Sequence, residues 1–201
     1  MTKTFAYIDV IGVKKTLADK NKSKELLERF WTTMDTFTNN RQDSPYCKAV
    51  DTGNLVVPDV YCSVFSDSAL IDVEPDIEIN DFYKKILKSL KICLDKAELP
   101  FYCIVSSGDY IGQAISPKLG GWNMGSGHGA RPLWNPIAGS GDAWIQIFEA
   151  DTAIKKHKAW HEKYSLYALG NESLLDGLSQ EEIKIGADAN QIKLHACSWP
   201  V

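Results

Sequence analysis

The sequence predicts an α+β fold: a βαββαβ core with a mostly antiparallel sheet, helices packed mainly on one face, and C-terminal additions. Three observations carry this reading. Short apolar runs rich in β-branched and aromatic residues alternate with helical stretches in the order strand, helix, hairpin, helix, strand-hairpin. The first two helical stretches each place their apolar residues at helical spacing. The first hairpin closes on Ser66-Asp67-Ser68, a short polar tip between two apolar runs.

The elements follow in chain order. Thr4 to Val13 opens as an apolar strand and meets Gly12. A helix follows, with Ser23 as its expected N-cap and a stripe of Leu26, Leu27, Phe30, Met34 and Phe37. Residues Asn39 to Asn54 are polar and turn-rich, and read as a loop. Val60 to Phe65 and Ala69 to Val73 form the hairpin. A second helix over Glu78 to Ala97 turns Phe82, Ile86, Leu90, Cys93, Leu94 and Ala97 to one side, and Pro100 stops it. Phe101 to Val105 is a strand, Ser106 to Asp109 a turn, and Tyr110 to Ile115 another strand. Pro117 to Pro136 reads as a long loop with five glycines, Trp122, Trp134, His128 and Arg131. A helix is expected from Gly141 to Lys163, broken near Asp151. A strand at Leu166 to Leu169, a short helix near Gln180 and a strand at Gln191 to Cys197 complete the chain. The core order is ferredoxin-like.

Composition narrows the function. A chain of 201 residues suits one domain with a sizeable core. The net charge of -4 argues against a broad nucleic-acid surface, yet leaves room for one nucleotide whose phosphates a metal ion neutralises. No apolar run approaches the length of a membrane span. The five cysteines contain no C-x-x-C, so neither a disulfide framework nor a zinc site is indicated, and a reducing cytoplasm is expected. Cys62, Cys93 and Cys103 lie in apolar runs and read as core.

Two carboxylates stand where chemistry is possible. Asp9 lies at the exit of the first strand and Asp67 at the hairpin tip. In a βαββαβ sheet these elements are neighbours, so the two aspartates converge at one edge. Paired carboxylates repel unless a cation lies between them, and magnesium suits such oxygen ligands with substrate phosphates completing its shell. Gly12, without a Cβ, lets backbone approach a triphosphate. Aspartate is equally at home in turns for local hydrogen-bonding reasons, and the residues alone leave both readings open.

Ile8-Asp9-Val10-Ile11-Gly12-Val13 resembles the D-I/V-x-G-F segment of class III adenylate and guanylate cyclases. Phe65-Ser66-Asp67-Ser68 resembles their G-D-S hairpin, and Ser106 to Gly112 falls where the family has R-x-G-I/V-x-x-G. Gly139 to Glu149 has the length and end residues of the family's G-x-x-V-N-x-A-x-R-L-E helix. The four segments occur in the family's order between residues 5 and 150. The pattern I-D-x-x-G-V with F-S-D-S is similar to compact pyrimidine cyclases of bacterial antiphage (Pycsar-type) signalling, which make cyclic UMP or cyclic CMP.

The resemblance implies residues 1–201 as a single nucleotide cyclase-like domain. It implies Asp9 and Asp67 as ligands of two Mg²⁺ or Mn²⁺ ions, with the Val10 carbonyl assisting. Ile11 and Gly12 would lie along the substrate, a nucleoside triphosphate. A head-to-tail homodimer with sites at the interface is implied, with neither nucleic acid nor membrane as partner.

Some family residues are missing. The helix asparagine and arginine fall on Ala143 and Ile147, and the strand arginine on Ser106. Neither Ala nor Ile supplies the fixed charge and paired donors of a guanidinium. Arg131, one of three arginines, is the substitute the sequence offers. The alternative is a degenerate homodimer that binds nucleotide or regulates a partner. Ser63 takes the place of the family's base-reading residue; it leaves space, and Tyr61 or Asn135 would offer a hydroxyl or amide to a pyrimidine. His157 and His161 have metal-ligand spacing but no third ligand, and Lys155 to Lys163 reads as a solvated face.

Overall fold

A computed structural model of the chain describes residues 2–16, 19–39, 59–74, 82–109, 111–114, 137–170, 178, 180–186 and 191–199. Strand β1 (Thr2–Val10) leaves the sheet through Gly12, whose φ of +98° is a conformation that L side chains rarely adopt. A single helical turn, α1 (Val13–Thr16), leads to α2 (Lys20–Asn39). The N-cap of α2 is Asp19, not Ser23. The Asp19 carboxylate accepts the amide protons of Asn21 (3.1 Å) and Lys22 (3.2 Å), two donors that the first turn leaves without helical partners. Ser23 lies one turn further in, buried, and its hydroxyl donates to Thr16 Oγ1. Phe30, Met34 and Phe37 are buried as their spacing predicts.

Strands β2 (Asp59–Phe65) and β3 (Ser68–Glu74) pair through the two-residue turn Ser66-Asp67. Ser66 takes φ 59°, unfavourable for a residue with a side chain, and its carbonyl accepts the indole proton of Trp31 on α2 at 2.9 Å. The helix thus holds the turn that carries Asp67. A π-helical turn (Phe82–Leu87) runs into α3 (Lys88–Lys96), and Phe82, Ile86, Leu90 and Leu94 are buried.

Strand β4 (Phe101–Asp109) is longer than its sequence suggests. Ser106 to Asp109, expected as a turn, continues the strand because β1 begins at Thr2 and offers Thr2 to Phe5 as pairing partners. Strands β5 (Ile111–Ala114) and β6 (Ile137–Ser140) form a separate antiparallel ladder. Helix α4 (Asp142–Lys156) is continuous through Asp151 and breaks at His157 (φ -106°, ψ 84°) before α5 (Lys158–Lys163). Strands β7 (Leu166–Leu169), β8 (Glu181–Ile185) and β9 (Ile192–Cys197) follow. The stretch beside Gln180 is thus a strand rather than a helix. It pairs along β9 at the sheet edge, with Glu181, Glu182 and Lys184 exposed, as suits an edge strand.

The seven-stranded sheet has the order β2-β3-β1-β4-β7-β9-β8, and β4 with β7 is its parallel pair. The first four strands make the predicted ferredoxin-like core. One face carries α2 and α3 over Ile8, Val10, Ile71 and Cys103. The opposite face carries α4 over Phe5, Tyr7, Leu70, Tyr102 and Ile104. Cys62 and Cys103 are buried free thiols, and Cys93 packs half-buried against the same core. Among the described residues, no helix is long and apolar enough to cross a membrane.

Helix α4 approaches β4 closely at one point. A Cβ added to Gly108 would lie 2.8 Å from the Ala143 Cβ. Gly108→Ala should therefore force strand and helix apart and destabilise the chain by about 1–3 kcal/mol, the usual cost of overpacking, measured by urea unfolding.

A candidate active site at the end of the first strand

The register of β1 against its neighbours fixes the site. Asp9 stands opposite Ser68 on β3 and opposite Tyr102 on β4. Side chains directly across a sheet share a face, so these three form one row, and Tyr7 stands two residues behind on the same face. Ser63 pairs with Leu70, itself opposite Tyr7, and belongs to that face as well. The same strand end gathers Asp67: the Val10 amide donates to the Asp67 carbonyl at 2.9 Å. Ile11 follows, and its amide donates to the Pro100 carbonyl at 2.8 Å.

Asp9 is 3% exposed, and three donors converge on its Oδ2. Lys155 Nζ and Ser68 Oγ each donate at 2.8 Å, and Tyr7 Oη lies at 3.2 Å. Tyr7 Oη is also 3.0 Å from Ser68 Oγ, so its single proton is shared between two acceptors. Lys155 donates a second bond, 3.0 Å, to Oδ2 of Asp151 one turn earlier on α4. The Tyr102 hydroxyl donates to Oδ1 of Asp151. A closed network thus runs from β1 to α4 and back through β4.

The electrostatics follow from burial. Burial pushes the Asp9 carboxyl above the usual carboxylate range, against the pull of the Lys155 hydrogen bond and charge. Burial opposes the Lys155 ammonium too, but its bond to Asp9 and the surrounding negative charge outweigh that and raise its pKa. Burial first, and the neighbouring carboxylates second, hold Tyr102 far above an ordinary phenol, and burial does the same for Tyr7.

These partners were largely hidden in the sequence. Lys155, read as part of a solvated face, turns inward to Asp9. Ala143 and Ile147 are buried against the sheet and present no polar group. Asp151 and Lys155 continue the same four-residue ladder, so the polar pair of α4 lies two turns beyond the aligned positions. The available signal was a carboxylate at buried spacing among Ala143, Ile147, Ala150 and Ile154. Trp144 packs on Phe148 and Phe5. His157 stacks on Trp160. Arg131, Asn135, Trp122, Trp134 and the Tyr61 side chain lie outside the described residues. An open groove between α4 and β8, lined by Trp144, Ile145, Phe148 and Ile185, shares no residue with this network.

Asp9, Val10 and the Asp67 turn meet at one strand end, where their oxygens could serve a hard divalent cation, and the Lys155 ammonium lies 2.8 Å from Asp9. Among the described residues no three His, Cys, Asp or Glu side chains gather to hold an ion.

No protein-family model and no curated protein matches the sequence. Solved structures match its fold. The guanylyl cyclase Cya2 superposes with a TM-score of 0.54 at 9% identity, over 98% of this chain and 91% of the other. A bacterial light-regulated adenylyl cyclase gives 0.55 at 13% identity, over 98% and 89%. The non-canonical dimeric guanylyl cyclase domain of the RhoGC fusion protein from the aquatic fungus Blastocladiella emersonii gives 0.54 at 8%, over 98% and 95%. The fold is that of a nucleotide cyclase domain. In this cyclase fold the four core strands carry Asp9 and Asp67, and α4 lies over them.

Two outcomes test the network. Lys155→Met should cost about 1–3 kcal/mol in urea unfolding, less than a fully buried pair because the Lys155 side chain keeps 35% exposure, and adding Asp9→Asn should recover part of it. The second concerns alkaline pH. The unfolded chain releases tyrosine and lysine protons near the ordinary values of 10.0 and 10.5, whereas the folded chain holds those of Tyr7, Tyr102 and Lys155 to higher pH. The folded state then binds more protons than the unfolded one, and stability falls as pH rises past about 10. Melting temperatures should decline in that range, and decline less steeply in Tyr102→Phe.

Proposed function

We propose that this chain is a nucleotide cyclase that converts a nucleoside triphosphate, UTP or CTP, to its 3′,5′-cyclic monophosphate and pyrophosphate, in antiphage signalling. One observation carries the reading. Two aspartates from different elements, Asp9 and Asp67, are brought to one strand end of a cyclase fold by β1–β3 register and the Val10–Asp67 hydrogen bond.

In the reaction the ribose 3′-oxygen bonds to the α-phosphorus, the bond to the bridging oxygen breaks, pyrophosphate leaves, and the hydroxyl proton passes to water. Mg²⁺ or Mn²⁺, as two ions held by Asp9, Asp67 and the Val10 carbonyl, would lower the pKa of that hydroxyl and steady the departing charge. Gly12 turns the backbone away at φ +98° and, with no atom of the described residues within 4 Å of where a Cβ would stand, would leave space beside Ile11 for phosphate. Ser63, buried on the same sheet face, is small enough to admit a pyrimidine, with Asn135 offered as the amide partner. Arg131 takes the part of the phosphate-binding guanidinium. A homodimer is in keeping with the Blastocladiella domain, itself a non-canonical dimer; its head-to-tail arrangement is drawn from the cyclase resemblance, and cytoplasmic residence from the cysteine usage.

A second reading has its own observation. Ala143 and Ile147 are buried and apolar where the cyclase helix carries its asparagine and arginine, which favours a degenerate homodimer that binds nucleotide or regulates a partner.

Incubation of the purified chain with each of ATP, GTP, CTP and UTP plus Mn²⁺, followed by mass spectrometry, separates the two. The expected result is one cyclic pyrimidine product that disappears in Asp67→Ala while its melting temperature stays close to that of the parent. No product from any triphosphate, with a folded dimer in hand, selects the degenerate reading.

A further inference from the structure

The Lys155 ammonium bridges two carboxylates from different elements, 2.8 Å from Asp9 on β1 and 3.0 Å from Asp151 on α4. Two carboxylates and one ammonium leave the pair under-neutralised, a condition that favours a cation of higher charge. The lysine reaches this position from the last turn of α4, which stops at His157, and its side chain keeps 35% exposure. Asp151 is fixed differently. It is buried and also held by the Tyr102 hydroxyl, and Tyr102 stands opposite Asp9 in the sheet. Lys155 can therefore leave Asp9 while its bond to Asp151, one turn back on the same helix, keeps it close.

We propose that Lys155 is a tethered counter-cation that occupies the cation position on Asp9 and yields it to a divalent ion. The inference rests on the reading of Asp9 as a metal ligand given above. It assigns Lys155 and Asp151 a positioning role that the sequence did not suggest. The ammonium satisfies Asp9 before the ion arrives, and after exchange it stays beside the site on the helix that covers it.

The test uses the full chain and Mn²⁺ alone, without nucleotide, with free Mn²⁺ read by electron paramagnetic resonance. Lys155→Met should bind Mn²⁺ about tenfold or more tightly than the parent, because a competing positive charge has gone and two carboxylates face each other. A folded Lys155→Met chain with unchanged or weaker affinity overturns the proposal. Should that variant fail to fold, the parent chain labelled with ¹³C-lysine decides. Mg²⁺ should then shift one lysine Cε resonance, identified by its loss in Lys155→Arg, and an unmoved resonance overturns the proposal. Asp9→Asn separates the two readings. Mn²⁺ binding that survives Asp9→Asn, or is absent from every variant, removes Asp9 as a ligand and this inference with it. Binding that depends on Asp9 but ignores Lys155 removes the inference alone.

Discussion

A carboxylate that is 3% exposed at the end of a central strand sets the terms for the rest of this molecule. Removed from water, Asp9 needs donors, and the structure supplies three to a single oxygen, from β1 itself, from β3 and from α4. Each donor fixes an element. Ser68 requires the β1–β3 register as it stands, since a slip of one residue would turn the row to the other face. Lys155 requires α4 to reach as far as it does before breaking at His157. A buried charge is expensive unless it is paired and hydrogen-bonded, so a fold built around one is held to a single arrangement there.

The two faces of the sheet divide the work. Helices α2 and α3 cover an apolar core, and α2 adds one polar contact, from Trp31 to the Ser66 carbonyl, that steadies the strained turn beside Asp67. Helix α4 covers the other face with aromatic packing at its start and charge at its end. Tyr7 shows the transition: its ring meets Phe148 edge-on at 5.6 Å while its hydroxyl joins the Asp9 network. Such two-ended side chains suit the border between a dry core and a polar site.

Much of this was legible before any coordinates. The hairpin and the stripe of α2 follow from periodicities of two and of 3.6 residues, and the place of β1 beside the hairpin, which brings Asp9 to Asp67's turn, follows from the βαββαβ order. The misses have physical causes. Ser106 to Asp109 has turn-like composition, but a partner strand was waiting at Thr2 to Phe5, and pairing prevailed over local preference. The stretch after Gln180 became a strand because β9 lay open beside it. Lys155 sits among other lysines, and nothing local distinguishes it. What turns it inward is Asp9, 146 residues away in the chain. The four-residue ladder from Ala143 through Ile147 and Asp151 to Lys155 advances by about 40° at each step. The drift carries its last member from the centre of the helix contact to the rim, where a long side chain reaches Asp9.

The place of β1 within the sheet has a further meaning. A strand hydrogen-bonded along both sides, third in a row of seven, loses its amide protection only when much of the sheet opens. The last turn of a helix is held less firmly, because not all of its carbonyls find helical partners, although in α4 the Ile154 carbonyl accepts from the His157 amide at 3.1 Å. The negative pole of this ion pair therefore stands on a strand braced from both sides, and the positive pole on the last turn of α4, beside the break at His157. With 35% of its side chain exposed against 5% for Asp9, the lysine is the partner with room to move.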